Sequence, residues 1–396
     1  MTNDIEVRVD RRQRGATGQA EAPLKPLSRS EPLTIDCLNS PAALEQLQGV
    51  WQTLEQQDFH CTPFNTWLWN HLWWRHYASR SDTLAILVVR SGKRVVAIAP
   101  LFIHATHMLK ILPVRVLRFI GTGGDTSPDY LNIICLPTWR DAAEKAVLEF
   151  LPHIHGWHKL IMSDVAANTS LASRVTAFVD EQPGVPLSLL RHTIQKASLP
   201  TSYDAYRAQL SRKRRKQINH RQNRLSKAGL AELSVCTTQA ELNEATDALV
   251  ALHRLRWKSK NEAGAFRSAA YEQFHRAVIS EFFAADALWL ATLRLDGQII
   301  GVQYIFAWRG TLMFMQSGYS PEHEKLSAGH VLFNYVIQRG IEQGMTGVDM
   351  LKGHYDYKSV YARDEIQTID SGLVRPGLRG VLAGLHNRMA MQLLRQ

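Results

Sequence analysis

The sequence predicts a mixed α/β (α+β) chain in which one α-α-β-β unit occurs twice, its mostly antiparallel sheets flanked by helices. Three observations carry this. A strand, turn and strand at Leu84–Ile103, LAILVVRSGKRVVAIAPLFI, return at Leu288–Ala307 as LWLATLRLDGQIIGVQYIFA. Two stretches of helical periodicity come before each hairpin. The composition, 45% hydrophobic and 21% charged over 396 residues, suffices for two cores and makes two domains the natural division.

The elements follow in order. MTNDIEVRVDRRQRGATGQAEAPLKPLSRSEP is polar, poor in aromatics and without the apolar core of a secretory signal, so residues 1–30 are expected to be disordered. Ala43, Leu44, Leu47, Val50 and Leu54 recur at helical spacing over 41–57, and a second helix begins near Thr66 with WLWNHLWWRHY. Ser91-Gly92 supplies the turn of the first hairpin. Beyond the midpoint, helices are expected over Ala240–Lys258 and Tyr271–Ala284, then the hairpin turning at Asp296-Gly297, among the strongest short hairpin signals. A third strand, Thr311–Gly318, follows an Arg309-Gly310 turn. The polar loop YSPEHEKLS then leads to a helix from Ala328 to Gln343, with Gly344 as its C-cap. After the short strand GVDML comes the polar-aromatic segment KGHYDYKSVYARDE. Leu378–Leu394 reads as an amphipathic helix, with Leu378, Val381, Leu382, Leu385 and Met389 on one face.

Charge and cysteine placement narrow the function. Ser211–Lys227, SRKRRKQINHRQNRLSK, holds eight Lys/Arg and no acid, on a helix whose apolar stripe is Leu210, Ile218 and Leu225. Such a face attracts an anionic partner, by phosphate contacts that position without reading sequence. Specific DNA binding is not expected, because no helix-turn-helix or zinc pattern accompanies it. Cys37, Cys61, Cys135 and Cys236 are scattered, which predicts reduced thiols and a cytoplasmic setting. No apolar run reaches the ~18–20 residues of a membrane span. His153, His155 and His158 lack a third-ligand geometry, and no metal is expected. Gly121–Asp125, GTGGD, lacks the Lys-Ser/Thr and following helix of a phosphate loop. It reads as a turn before Asp129 and Tyr130, which are placed at the border of an acceptor site.

The order helix, helix, hairpin, strand, loop, helix, strand is that of N-acetyltransferase folds. LHRLRW (Leu252–Trp257), the SRKRRK segment, the GYSP…LSAGHVL stretch and VDMLKGHYDYK together resemble the CelD/BcsL-type acetyltransferase-like family associated with cellulose biosynthesis. That family is a relative of the Fem-type peptidoglycan aminoacyltransferases, tandem copies of the GNAT fold. The resemblance covers roughly residues 40–375 and implies a tandem GNAT-like acyl-CoA N-acyltransferase architecture. The expected division is a degenerate N-terminal GNAT-like domain over 31–200, a basic linking helix over 201–230, a C-terminal GNAT-like acyltransferase domain over 231–375 and the amphipathic helix over 376–396.

The resemblance implies that a strand edge and the start of the following helix hold the pantetheine and pyrophosphate of the donor, acetyl-CoA or another acyl-CoA. The free N–H groups and dipole of a helix start favour a phosphate independently of any family. The candidates are Gln316 on the strand and Ser327, Ala328, Gly329 and His330 at the helix start, with Ser327 as N-cap and Gly329 permitting close backbone approach. The family's Arg/Gln-x-x-Gly-x-Gly/Ala pattern is not met: counting from Lys325, Ala328 replaces its first glycine and His330 its second. An acyl-carrier protein or an aminoacyl-tRNA therefore stays open as donor.

Acyl transfer needs a base, an oxyanion stabiliser and an acid. Asp349–Tyr361 supplies these types: Asp349 and Asp356 as bases, Lys352 and Lys358 as cations, Tyr355, Tyr357 and Tyr361 as acids. By resemblance to Fem-type enzymes, a lysine after an aromatic residue serves the transferring carbonyl, a role that falls to Lys358 after Tyr357. Arg254, Arg256 and Trp257 match the family's pattern and are placed at the acceptor. The expected function is transfer of an acyl group, acetyl from acyl-CoA, to an amine or hydroxyl of a cell-envelope or exopolysaccharide-related acceptor. Two alternatives stand beside it: a tRNA-dependent Fem-like transferase, and a non-catalytic accessory protein at the inner face of the membrane beside a polysaccharide synthase.

Overall fold

The computed structural model describes residues 32–108, 111–123, 125–126, 128–353, 361–362 and 364–377. The predicted disordered segment 1–30 and the amphipathic helix Leu378–Leu394 lie outside them. The first half runs β1 (Leu33–Leu38), α1 (Pro41–Gln46), α2 (Gln48–Gln57), α3 (Trp67–Tyr77), β2 (Thr83–Leu84), β3 (Ile86–Ser91), β4 (Arg94–Ala99), β5 (Leu101–Met108), β6 (Leu112–Phe119), β7 (Ile134–Cys135), α4 (Arg140–Phe150), β8 (Lys159–Ala166), α5 (Ser170–Glu181) and β9 (Val185–Ser198). Two helices follow, α6 (Tyr203–Gln209) and α7 (Arg212–Ala228). The second half runs β10 (Ala231–Val235), α8 (Gln239–Ser259), α9 (Ala269–Ala284), β11 (Leu288–Leu295), β12 (Gln298–Trp308), β13 (Thr311–Tyr319), α10 (Ala328–Glu342), β14 (Gly347–Asp349) and β15 (Asp364–Val374).

Local chemistry explains the boundaries. Thr66 caps α3, its hydroxyl accepting from the Trp69 N–H at 3.2 Å. Thr238 and Glu241 form a reciprocal capping box at the start of α8. The β11–β12 turn puts Asp296 at φ +49° and Gly297 at +82°, two successive left-handed residues whose twist suits a two-residue hairpin. The single helix expected over 41–57 is broken at Leu47 into α1 and α2.

Strand pairing produces a four-stranded sheet, β1-β3-β4-β7, and an eleven-stranded sheet, β10-β11-β12-β13-β14-β9-β15-β8-β6-β5-β2. The long sheet exchanges strands between halves: β14 pairs with β9 of the first half, and β15 pairs with β8 of the first half. Two neighbours are parallel, β6 with β8 over Val116–Arg118 and β13 with β14 over Thr311–Met313, each for three residues. The repeated motif thus contains a parallel pair that separates soon after it forms.

Two large cores hold this together. In the first, the aromatic helix α3 is buried against α9: Trp69 meets Phe274 edge-on at 4.9 Å and also touches Phe64 and Phe306. Burial of one such side chain contributes roughly 1.5–3 kcal/mol. In the second, α10 lies on the opposite sheet face through Val331, Leu332, Val336 and Ile337, and α7 is seated through Ile218 and Leu225. No helix of the described residues is long and apolar enough to cross a membrane.

Candidate functional site

The chemistry-bearing residues converge where β13 and β14 part. Met313 is in register with Asp349, and Asp349 with Lys196 on β9, so three distant segments contribute to one rung of the sheet. Neighbours on a rung share a face, and this face looks toward the first half. There a cleft of 310 Å³ opens, bordered by Phe59, His60 and Thr62 before α3, by Tyr130 and Asn132, by Lys196, and by Trp308, Thr311, Met313 and Asp349. Trp308 Nε1 donates to the Cys61 carbonyl at 2.8 Å, and Arg309 donates to the Asp58 and Glu55 carbonyls, so the β12–β13 turn is fastened to the first half at the cleft wall.

Asp349 is 1% exposed. Its Oδ2 accepts from the Tyr130 hydroxyl at 2.8 Å and faces the Lys196 ammonium at 3.0 Å, while Oδ1 accepts from the Leu351 N–H at 2.8 Å. The ammonium also stands 4.5 Å from the centre of the Tyr130 ring. Burial and the neighbouring carboxylates push the Tyr130 phenol well above its ordinary pKa, so it stays protonated and donates. Three donors occupy three of the roughly four lone-pair positions of a carboxylate, which leaves capacity for one more hydrogen bond. Asp129 is completely buried beside this group, and burial pushes its carboxyl up to about 7.

The predicted donor residues divide. Gly329, at the start of α10, lies against Tyr319: a Cβ there would stand 2.7 Å from the tyrosine Cζ, so glycine is what permits the approach. Ala328 is buried in the same turn. His330 Nδ1 is 2.5 Å from the Tyr361 hydroxyl, and burial, with Arg221 and Arg214 nearby, lowers its pKa to about 4. Ser327 departs from the expectation: it is left-handed, φ +57°, and makes no side-chain cap, because the 3-10 turn Pro321–Leu326 runs directly into α10 and removes the extended backbone a cap needs. Gln316 departs as well. Tyr304 is in register with Gln316 but Ile305 with Phe314, so Met315 is bulged out and the alternation of faces slips. Gln316 therefore turns toward α9, its amide 3.5 Å from the Tyr271 hydroxyl, away from α10.

The acceptor candidates also divide. Asp129 and Tyr130 are brought to Asp349, whereas Arg254, Arg256 and Trp257 do not border the cleft. Arg254 donates to the Phe266 carbonyl at 3.0 Å and pairs with Glu272 at 2.5 Å, tying α8 to α9. Arg256 stacks 5.2 Å over the Tyr319 ring, beside the α10 start, and Trp257 packs against Gly264 and His253. They sit at the far end of α8, beside the last residues of β13 rather than its first. Tyr357 and Lys358 lie outside the described residues.

Two contributors, Lys196 and Gln303, gave no pattern in the sequence, and two more came from a segment whose destination it did not show. Lys196 lies near the end of a long strand, and only sheet register brings it to Asp349. Gln303 donates to the Tyr319 hydroxyl at 3.2 Å and to the Gly329 carbonyl at 3.3 Å, bracing the start of α10. Arg214 and Arg221 come from the basic segment, which was visible, but its destination was not: α7 packs beside α10, and Arg224 donates to the Lys325 carbonyl at 2.5 Å. Arg215, by contrast, caps α6 through the carbonyls of Arg207, Ala208 and Leu210. Among the described residues, the one His/Asp group within ligand reach is Asp164, His192 and Asp370, and there the Lys352 ammonium already sits 2.6 Å from Asp164. His158, of the histidine segment, accepts from the Arg115 N–H at 3.0 Å.

Comparison with known proteins agrees with this architecture. Residues 212–359 match the acetyltransferase (GNAT) domain family. No curated protein matches the chain. Among solved structures, the chain is similar to FemX, with a TM-score of 0.58 at 9% identity over 86% of this chain and 98% of that one. It is also similar to the C-terminal domain of a putative lysylphosphatidylglycerol synthetase from Agrobacterium fabrum, with a TM-score of 0.52 at 12% identity over 89% of this chain and 98% of that one. At such identities the likeness is one of fold. The match covers the basic helix and most of the second half, and the whole chain has a mixed α/β, GNAT-like fold.

Proposed function

We propose that the chain transfers an acyl group from acyl-coenzyme A to an amine or hydroxyl acceptor, with the donor between the parting strands β13 and β14 and the acceptor in the cleft. The observation that carries this reading is the Met313–Asp349–Lys196 rung. The strands separate at that rung, and the cleft opens onto it. A donor laid along the free edge of β13, its phosphates at the α10 start, would deliver its carbonyl there.

The acceptor nitrogen or oxygen attacks the thioester carbon and its proton passes to Asp349. The tetrahedral oxyanion forms beside the Lys196 ammonium, and the carbon–sulfur bond breaks as the proton taken by Asp349 passes to the sulfur, releasing the thiol of coenzyme A. Tyr130 and the Leu351 N–H hold Asp349 in place. The phosphates are met by the α10 N-terminus with Arg214 and Arg221, a cationic surround that a single helix start does not provide. The resemblance to the CelD/BcsL-type family supports an acceptor of the cell envelope or an exopolysaccharide.

A second reading follows from α7 itself. Arg212, Lys213, Lys216 and Lys227 are exposed, and none has an ion pair among the described residues. A cationic helix about 25 Å long exceeds what the phosphates of coenzyme A occupy, which favours a longer phosphate chain such as an aminoacyl-tRNA.

Isothermal titration separates the two. Saturable binding of coenzyme A and acetyl-coenzyme A, abolished by Gly329→Leu because the side chain must displace the Tyr319 ring, supports the first reading. No binding of either, together with tRNA binding that weakens steeply with salt, replaces it with the second.

A further inference from the structure

The buried acids of the first half reach into the second half's site. Asp129 Oδ2 accepts from the backbone N–H of Lys352 at 3.0 Å, and Asp164 Oδ1 accepts from the Lys352 ammonium at 2.6 Å, across 223 and 188 positions of sequence. Lys352 is therefore held at its main chain and at the tip of its side chain. Asp164 is itself fixed: its N–H donates to Asp370 Oδ1 at 2.8 Å, and its carbonyl accepts from the Leu131 N–H at 3.0 Å. Leu131 follows Tyr130, the partner of Asp349. Two residues separate Lys352 from Asp349, and one of these, Leu351, donates its N–H to the Asp349 carboxylate.

The backbone is forced at the same points. Tyr130, Asp164 and Leu351 have φ of +58°, +58° and +49°, three non-glycine residues in the left-handed region. Such conformations persist where the surroundings fix them and concentrate where a side chain is being aimed. Here all three adjoin the hydrogen-bonded path that joins Asp164 through Lys352 and Leu351 to Asp349.

We propose that Asp129, Asp164 and Lys352 are positioning residues through which the first half sets the orientation of Asp349 and Tyr130 at the cleft; this rests on the reading that transfer takes place at Asp349. It also gives the first half a use for its own parallel split. β6 and β8 separate at Arg118 and Ile161. The space beyond holds Asp164, Asp370 and the guanidinium of Arg118, which donates to Thr122 at 2.7 Å. One copy of the split admits a ligand and the other anchors the lysine that aligns it.

The test uses the full chain, with tyrosines carrying 13C at Cζ and the Tyr130 resonance assigned by its loss in Tyr130→Phe. The Tyr130 Cζ shift reports the hydrogen bond to Asp349 without any substrate. Lys352→Met and Asp164→Asn are expected to move that resonance. They should also lower kcat by roughly 10- to 100-fold, the scale of a misplacement near 1 Å, with the donor KM unchanged. Lys352→Arg, which keeps the charge, should restore most of both. If the resonance stays in place in Lys352→Met and Asp164→Asn, or if Lys352→Arg behaves like Lys352→Met, the proposal is wrong. A structural lysine would lower the melting temperature without splitting kcat from KM, and that too overturns it. Should Lys352→Met fail to fold, Asp164→Asn, nearly isosteric, gives the same reading. A wild type inactive with every donor would remove the transferase reading, whereas the Tyr130 resonance would still decide whether Lys352 and Asp164 orient the pair.

Discussion

At the scale of single residues, the cleft turns on Asp349 and the groups that hold it. Asp349→Asn keeps shape and removes the proton acceptor, so kcat is expected to fall by about 10²-fold or more with donor binding intact. A steady-state assay with the productive donor checks this, and an unchanged kcat would move the base elsewhere. Tyr130→Phe leaves a buried carboxylate short of one donor, at a cost of about 1–3 kcal/mol visible in urea unfolding. His275 offers a separate check. It is fully buried among Trp69, Tyr271 and Phe274, no described group hydrogen-bonds either ring nitrogen, and burial lowers its pKa from 6.5 to about 3. The unfolded chain therefore binds more protons between those values, and stability is lost as pH falls through that window. His275→Leu is expected to flatten that loss, measured as the unfolding midpoint from pH 7 to pH 4; an identical slope would assign the acid sensitivity to other groups such as His253 and His330, both lowered to about 4.

At the scale of elements, the pairing of α7 with α10 brings basic side chains to the helix start proposed to hold the donor. Two buried residues, Ile218 and Leu225, seat a helix that is otherwise charge, so its position rests on a small apolar contact and on Arg215 and Arg224 binding carbonyls. Replacing Arg214, Arg221 and Arg224 together by alanine is expected to weaken donor binding at low salt by one to two orders of magnitude and to flatten its salt dependence. Titration at two ionic strengths measures both; an unaltered affinity would leave α10 as the whole phosphate site. The bulge at Met315 shows how one element can defeat pattern reading. Strict alternation puts Gln316 on the α10 face, and a single extra residue sends it to the other.

At the scale of the whole molecule, strand exchange makes the halves interdependent. β9 completes the second half's sheet beside β14, and β15 completes the first half's beside β8. Each half expressed alone would lack a neighbour for a buried strand, with a row of unpaired backbone groups exposed. Residues 32–200 and 201–377 produced separately are expected to show no cooperative unfolding, and co-expression should restore an associated, cooperative pair. Independent sharp transitions in each fragment would show that the exchanged strands are dispensable.

Read by itself, the sequence determined what is local. The repeated hairpins, the Asp296-Gly297 turn, the helices before them, the boundary at Thr66 and the basic helix are written in turn chemistry and periodicity, which act over a few residues. The sequence also singled out Asp349, Asp129, Tyr130 and the Gly329 turn as candidates, from the residue types acyl transfer needs, the turn before Asp129 and the close approach a glycine permits. The tertiary structure alone decided which of these meet. Lys196 reaches Asp349 through the register of an exchanged strand, and Tyr130 crosses 219 positions to the same carboxylate. Lys352 reaches back to Asp164, and Arg254 is spent between α8 and α9. Register and helix packing are settled by the burial of whole faces, a cooperative property of many distant side chains that no short stretch of sequence contains.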